Sequence, residues 1–168
     1  MTNYKELYSE NQIQDRLRVI SEQINSDYEG RSLELVYVTN GASVFFSDLL
    51  RLIKVPVKPH PICYSNYETA NNSGEVRLTL DVTIPLNCKD VLLLDGVIIS
   101  GKTPFYIYNM LSLRQPSSIE VCALGIKPAL LSVPLPVKYV GFEFQNEIVV
   151  GYGIGDGSEK AFRSLKSR

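Results

Sequence analysis

Histidine is nearly absent from this chain: there is one in 168 residues, His60, set between Pro59 and Pro61. A single imidazole excludes a histidine-built metal cluster and a Ser-His-Asp triad, and the flanking prolines predict an exposed loop residue. Cysteine is scarce too. Cys63, Cys88 and Cys122 are odd in number and far apart, which points to reduced thiols rather than a disulfide framework or a zinc site. No apolar run approaches the ~20 residues that span a bilayer, and the opening MTNYKELYSEN lacks the apolar core of a signal peptide. The expectation is a soluble, cytoplasmic protein with no membrane contact. An excess of charge of one sign is missing as well. With a net charge of −1, the chain has no electrostatic footprint for nucleic acid or an anionic membrane. Its length predicts one domain, residues 1–168, able to bury a full core.

What is present centres on VLLLDGVIISGKTP, residues 91–104. Val91, Leu92, Leu93 and Leu94 read as a strand buried on both faces that stops at the carboxylate of Asp95. Ser100, Gly101, Lys102 and Thr103 follow, with Thr103 as the expected cap and Pro104 as the first residue of a helix carrying Phe105, Ile107, Tyr108 and Leu111. Free N–H groups and a partial positive charge at a helix start favour anions, so residues 100–103 are predicted to bind phosphate. Residues 96–103 also satisfy G-x-x-x-x-G-K-[ST], the P-loop of nucleoside triphosphatases. That loop must curl around its phosphates, and the β-branched Val97, Ile98 and Ile99 suit such curling poorly. A P-loop protein that binds nucleoside triphosphate stands as an alternative.

Elsewhere the strand-and-helix pattern repeats. Ile13, Leu17, Ile20 and Ile24 make one stripe of a packing helix over residues 10–25. LELVYV, 33–38, is a buried strand that leads through Thr39-Asn40-Gly41 into Val44, Phe45, Phe46, Leu49, Leu50 and Ile53 at helical spacing. The polar stretch SNYETANNSG, 65–74, followed by the alternating EVRLTLDVTI, 75–84, predicts a flap hairpin over 63–84. SIEVCALG, 118–125, is another buried strand, and Lys127 just beyond it is either solvated or a hydrogen-bond donor to a ligand carbonyl. In KYVGFEFQNEIVVGYGIG, 138–155, Tyr139 is either a core aromatic or a stacking platform for a planar base.

Taken together, these stretches resemble one family. VLLLDGVIISGKT is similar to the diphosphate-sugar signature of type I phosphoribosyltransferases, with Asp95 at the first acidic position, Gly96 in place of the second, Ile99 in place of the loop aspartate and Ser100 in place of the first threonine. YVTNGASVFF resembles the hypoxanthine phosphoribosyltransferase turn Leu-Lys-Gly, with Asn40 in the lysine's place and Gly41 kept. CALGIKP resembles the family's strand ending in Lys-Pro, and residues 138–155 are similar to its YVGFE-x-x-x-x-x-VVGYG pattern. SEKAFRSL, 158–165, resembles its tail. The hypoxanthine(-guanine) phosphoribosyltransferase resemblance implies an α/β fold: a doubly wound, mainly parallel sheet of about five strands, with a small hood from the chain ends and a flap hairpin.

The resemblance also implies roles. Ser100, Gly101, Lys102 and Thr103 would hold the 5′-phosphate, Asp95 and Gly96 the ribose, and Asn40, Gly41 and Arg163 the pyrophosphate. Lys127 would read the 6-oxo group, Tyr139 would stack on the purine, and backbone atoms of Val140 would meet its edge. Ser65, Asn66 and Tyr67 belong to the flap. Mg²⁺ is implied, with Asp95 and Asn146 as its contacts. The substrate would be phosphoribosyl pyrophosphate or a purine 5′-mononucleotide, and the assembly a homo-dimer or tetramer. Ile99 occupies the position of the catalytic carboxylate. Two functions stay open: a salvage transferase with weakened or lost activity, and a non-catalytic paralogue that binds a purine mononucleotide as a sensor or partner subunit.

Overall fold

The chain opens with a short strand, β1 (Lys5–Tyr8), and turns at Ser9 into helix α1 (Glu10–Asp27). Ser9 Oγ accepts the Gln12 N–H at 3.4 Å while Gln12 Oε1 accepts the Ser9 N–H at 2.9 Å. This reciprocal cap satisfies donors that a helix start otherwise leaves open. The predicted stripe Ile13, Leu17, Ile20 and Ile24 is fully buried. The computed structural model describes residues 3–39, 41–66, 76–155 and 157–168, and the side chains of 65, 66, 76 and 77 stand outside that description. None of the helices among the described residues is long and apolar enough to cross a membrane.

After α1 come β2 (Leu33–Val38), α2 (Ser43–Leu50), β3 (Val57–Asn66), β4 (Val76–Leu80), β5 (Asp90–Ile98), α3 (Lys102–Ser112), β6 (Ser118–Ile126), β7 (Val137–Glu143), β8 (Val149–Val150) and β9 (Leu165–Ser167). The main sheet has the order β4-β3-β2-β5-β6-β7. All its pairings are parallel except that of β3 with β4. β5 lies at the centre, and its alternation splits the core. Leu92 and Leu94 join α1 and α2 on one face, while Val91 and Leu93 join α3 on the other. All four are completely buried, each stabilising the fold by about 1.5–3 kcal/mol. The chain ends build a second, antiparallel sheet, β1-β9-β8, which forms the hood.

The flap hairpin forms from β3 and β4, with Cys63 opposite Leu80 and Asn66 opposite Val76. Its return strand ends at Leu80 rather than continuing to 84. Asp81 stops it: Oδ1 accepts the Val82 N–H at 2.6 Å, the other oxygen pairs with Arg114 at 2.5 Å, and Val82 and Leu86 then bury against the α3 face. His60 is not the loop residue that its prolines predict. It sits within β3 with Nε2 2.7 Å from Glu34 Oε2. Pro59 and Pro61 are tolerated there because β3 pairs only with β2 until β4 joins it at Cys63, so the missing N–H groups cost no ladder bond.

Candidate active site at the carboxyl edge of the sheet

The central strand does not stop at Asp95. β5 continues through Gly96 and Val97 to Ile98, with Val97 opposite Gly125 and Ile98 opposite Ile126. A charge inside a strand is possible here because the strand end projects into a cavity rather than into the core. Three residues of the P-loop pattern, 96–98, therefore lie in the strand, and the backbone left before the helix is too short to encircle phosphates. Gly101 has φ 75° and caps α3, which starts at Lys102. The cap expected at Thr103 moves back two residues because this left-handed turn begins the helix, with the Phe105 N–H reaching Gly101 O at 2.9 Å. A Cβ at Gly101 would meet Val133 Cγ2 at 3.1 Å and Leu131 Cδ2 at 3.2 Å, so position and conformation both require glycine. Gly101 has no side chain to cap the helix, Ser100 Oγ meets the Lys102 N–H only at 3.5 Å, and Pro104 brings no N–H. The N–H of Thr103, and that of Lys102 if it leaves its long bond, are the donors this helix start offers a ligand.

Those groups face a cavity of about 330 Å³. Residues 99–104 form one wall, Asp95, Val97 and Gly41 the floor, Tyr64 the flap side, and Ile154, Gly155 and Lys160 the hood side. Asp95 is 8% exposed, and burial pushes its pKa above the usual carboxylate value against the smaller opposing effect of the Gly96 N–H, which donates to Oδ1 at 2.7 Å. The Tyr64 hydroxyl is pushed up to about 12, first by burial and then by the Asp95 charge. Gly96 is hemmed in. A Cβ there would lie 2.5 Å from Gly41 O and 2.8 Å from Ile154 Cδ1. Ile99, by contrast, is 50% exposed at the cavity rim.

Comparison with known proteins places this geometry. A family model described as a phosphoribosyl transferase domain matches residues 3–156. The hypoxanthine-guanine phosphoribosyltransferase of Mycobacterium tuberculosis is 36% identical over 155 residues, covering 88% of this chain and 77% of that protein. The chain belongs to the hypoxanthine-guanine phosphoribosyltransferase family. The hypoxanthine phosphoribosyltransferase of Haemophilus influenzae is 34% identical, with 88% of this chain and 85% of that one covered. A crystal structure of a hypoxanthine-guanine phosphoribosyltransferase from Bacillus anthracis superimposes with a TM-score of 0.90 at 31% identity, covering 97% of this chain and 96% of that one. The bifunctional protein TilS/HprT of Listeria innocua is 35% identical over 162 residues, covering 96% of this chain. The chain spans only a quarter of that relative's length.

Not every residue that the family resemblance marks comes to the cavity. Gly41 does, its Cβ position 4.0 Å from Asp95 Oδ1, while Asn40 and Tyr67 lie outside the described residues. Ser65 and Asn66 pair with Arg77 and Val76 in the flap, and among the described flap residues it is Tyr64 that lines the cavity. Arg163 is not in the lining: its side chain is 81% exposed and its Nη1 lies 3.4 Å from Glu10. Lys160, three residues earlier, lines the cavity instead. Lys127 is buried at the end of β6, and its N–H donates to Ile98 O at 2.9 Å. Its charge reaches the neighbouring loop, where the Glu147 carboxyl is held low first by backbone N–H groups and then by Lys127.

Three further residues stand elsewhere. Tyr139 turns to the α1 face, where its hydroxyl donates to Asp27 Oδ2 at 2.6 Å in a cleft shared with Lys138. That bond is the first cause of the low Asp27 pKa, ahead of Lys138. A ring fixed in this way packs the core and does not stack on a ligand at the phosphate loop. The Val140 carbonyl is also engaged, accepting Arg16 Nη2 at 2.6 Å. Asn146 lies in a separate cleft with Gln145, Glu147 and Ile148, away from Asp95.

The donor set also bears on Mg²⁺, which the resemblance implies. No group of three or more His, Cys, Asp and Glu comes together among the described residues. The described lining has one carboxylate, Asp95, whose charged form burial disfavours. The adjacent position, Gly96, has no room for a second. Mg²⁺ keeps several waters and is bound through one or two ionised carboxylates together with substrate phosphates. With one buried carboxylate and no room for a second beside it, the described residues do not fit a cation held by the protein alone.

Proposed function

We propose that this chain is a purine phosphoribosyltransferase of the hypoxanthine-guanine type whose transfer step is slow. The observation that carries this is the glycine-capped start of α3 opening, beside Asp95, into the cavity at the carboxyl ends of the parallel strands. Ligands of open α/β sheets bind at such an edge. In the family reaction a ribose 5-phosphate passes from phosphoribosyl pyrophosphate to a purine nitrogen: the bond from C1 to the diphosphate oxygen breaks, a C–N bond forms, and the base loses a proton. Here the N–H groups of residues 100–103 receive the 5′-phosphate, Asp95 meets the ribose hydroxyls, and Lys127 donates to the 6-oxo oxygen. At Ile99 the reaction lacks a proton acceptor. Loss of a positioned base costs about 10²–10⁴-fold.

The test is product formation from phosphoribosyl pyrophosphate and hypoxanthine. Ile99→Asp should raise the rate by about 10²-fold or more, and the side chain's exposure at the rim means that the change leaves the fold intact. Turnover near ~10 s⁻¹ by the natural chain would refute the slow step. A purine mononucleotide such as GMP should raise the melting temperature, and Thr103→Ala with Gly101→Val should abolish that shift.

The closed space at Gly96 favours a second reading, a non-catalytic paralogue that binds purine mononucleotide as a sensor or partner subunit. Binding of GMP without product from either the natural chain or Ile99→Asp would select it. We further place the chain in the cytoplasm as a single domain in a homo-dimer or tetramer. Its three unpaired thiols support that compartment.

A further inference from the structure

Among the described residues, the cavity lining holds more positive than negative charge. Lys102 on the loop side and Lys160 on the hood side both line it, opposite the one carboxylate of the described lining, and neither ammonium has an ion-pair partner among the described residues. Lys160 is placed by its backbone rather than left to wander. It lies in a 3₁₀ turn (Ser158–Ala161), its carbonyl accepts the Gly153 N–H at 3.0 Å, and its N–H donates to Gly157 O at 3.3 Å. Beside it Glu159 is 4% exposed, packed against Gly155 and Gly157 with Oε1 3.6 Å from Arg168 Nη1, so its charge is engaged by Arg168 rather than by Lys160. The turn thus presents a cation to the cavity from the side facing the phosphate loop.

We propose that Lys160 holds the diphosphate arm of a phosphoribosyl diphosphate in this site, supplying the positive charge that a protein-held divalent cation would otherwise supply. The inference rests on the phosphoribosyl reading of the cavity. An ammonium suits this task as a point charge on phosphate oxygens. Two observations point the same way: among the described residues the lining has one carboxylate, with no room at Gly96 for a second, and a lysine with no ion-pair partner among them lines the hood side, across the cavity from residues 100–103.

The experiment is calorimetric titration of the full chain with phosphoribosyl pyrophosphate and, separately, with GMP, which shares the ribose 5-phosphate and lacks the diphosphate. Each is run with Mg²⁺ and with EDTA. Phosphoribosyl pyrophosphate affinity should change less than fivefold on chelation. Lys160→Ala should weaken it about tenfold, at least fivefold more than it weakens GMP, and Lys160→Arg should restore it. A loss of fivefold or more in EDTA, or a Lys160→Ala loss no greater for phosphoribosyl pyrophosphate than for GMP, would overturn the inference while GMP binding keeps the site reading intact. If GMP does not bind at all, that reading fails and the inference falls with it.

Discussion

Gly96 offers the sharpest test of how this site is built. Replacing it by alanine adds one methyl group whose position the structure defines: 2.5 Å from Gly41 O, 2.9 Å from Gly41 C and 2.8 Å from Ile154 Cδ1. The isoleucine end can swing aside, but the carbonyl belongs to the backbone of the turn at the cavity floor. To reach even 3.0 Å, that turn must retreat by about half an ångström. Overpacking of this kind costs about 1–3 kcal/mol, and the reduced freedom of the unfolded chain returns about 0.4–1 kcal/mol. Gly96→Ala should therefore lower stability by about 1–2 kcal/mol, or about 2–8 °C in melting temperature for a chain of this size. Urea denaturation with unchanged slope and a lower midpoint is the readout. Adding Ile154→Ala should leave most of the loss in place, because the carbonyl contact remains. Equal or higher stability of Gly96→Ala would refute the reasoning, since it would show that the turn yields freely and that a second carboxylate has room. The expected outcome also means that Gly96→Asp cannot rebuild the family's acidic pair without moving the turn, whereas Ile99→Asp faces open space.

Tyr139→Phe removes the hydroxyl bonded to Asp27. It should cost about 1–2 kcal/mol of stability while leaving GMP affinity unmoved in a titration; a tenfold affinity loss would return the ring to the base pocket. Asp95 has a pKa raised by burial, so its charged form destabilises the fold at pH values above that raised pKa, and stability linked to it is present below the ordinary value of 3.8 and lost as pH rises through the folded value. Asp95→Asn should accordingly raise the melting temperature at neutral pH, with the gain vanishing below pH 3.8, and should weaken mononucleotide binding; a gain constant with pH would disprove the assignment. Lys127 facing a 6-oxo oxygen should favour GMP over AMP by about 1–3 kcal/mol, and equal affinities in competition titrations would leave it a lysine of the loop at Glu147.

Strong periodicity and long apolar runs made most of the framework legible. The α1 stripe, β2 and β6 follow from spacing alone, and the strand-loop-helix at Asp95 follows from a buried run meeting glycine and threonine. What the pattern does not carry is which face a side chain takes. Tyr139 shows why: the pairing of β6 with β7 shifts register between Val121 and Cys122, so that Cys122 sits opposite Tyr139 and the ring follows Cys122 and Leu124 to the α1 face. An irregularity of one residue reverses every inside-outside assignment after it. Nor does spacing mark Lys160 or Tyr64, since an exposed lysine in a short turn and a tyrosine in a half-buried strand carry no signal until the hood and flap are assembled around them.

Gly96 illustrates the deeper limit. Against a family motif it reads as a carboxylate removed, a loss at one position. In the structure the glycine is part of a fitted set: the Gly41 carbonyl and the Ile154 methyl occupy the volume that a side chain at 96 would need. With no acidic neighbour among the described residues, Asp95 is desolvated rather than repelled, and burial raises its pKa against the smaller lowering by the Gly96 N–H. The consequence is chemical as well as steric. A site with one reluctant carboxylate and two lysines in its described lining favours an anionic ligand and disfavours a cation, so nucleotide recognition and proton transfer, which the family joins in one cavity, can separate here. Affinity for phosphoribosyl compounds and turnover should respond to different residues, with Gly101 and Lys160 moving the first and Ile99 the second.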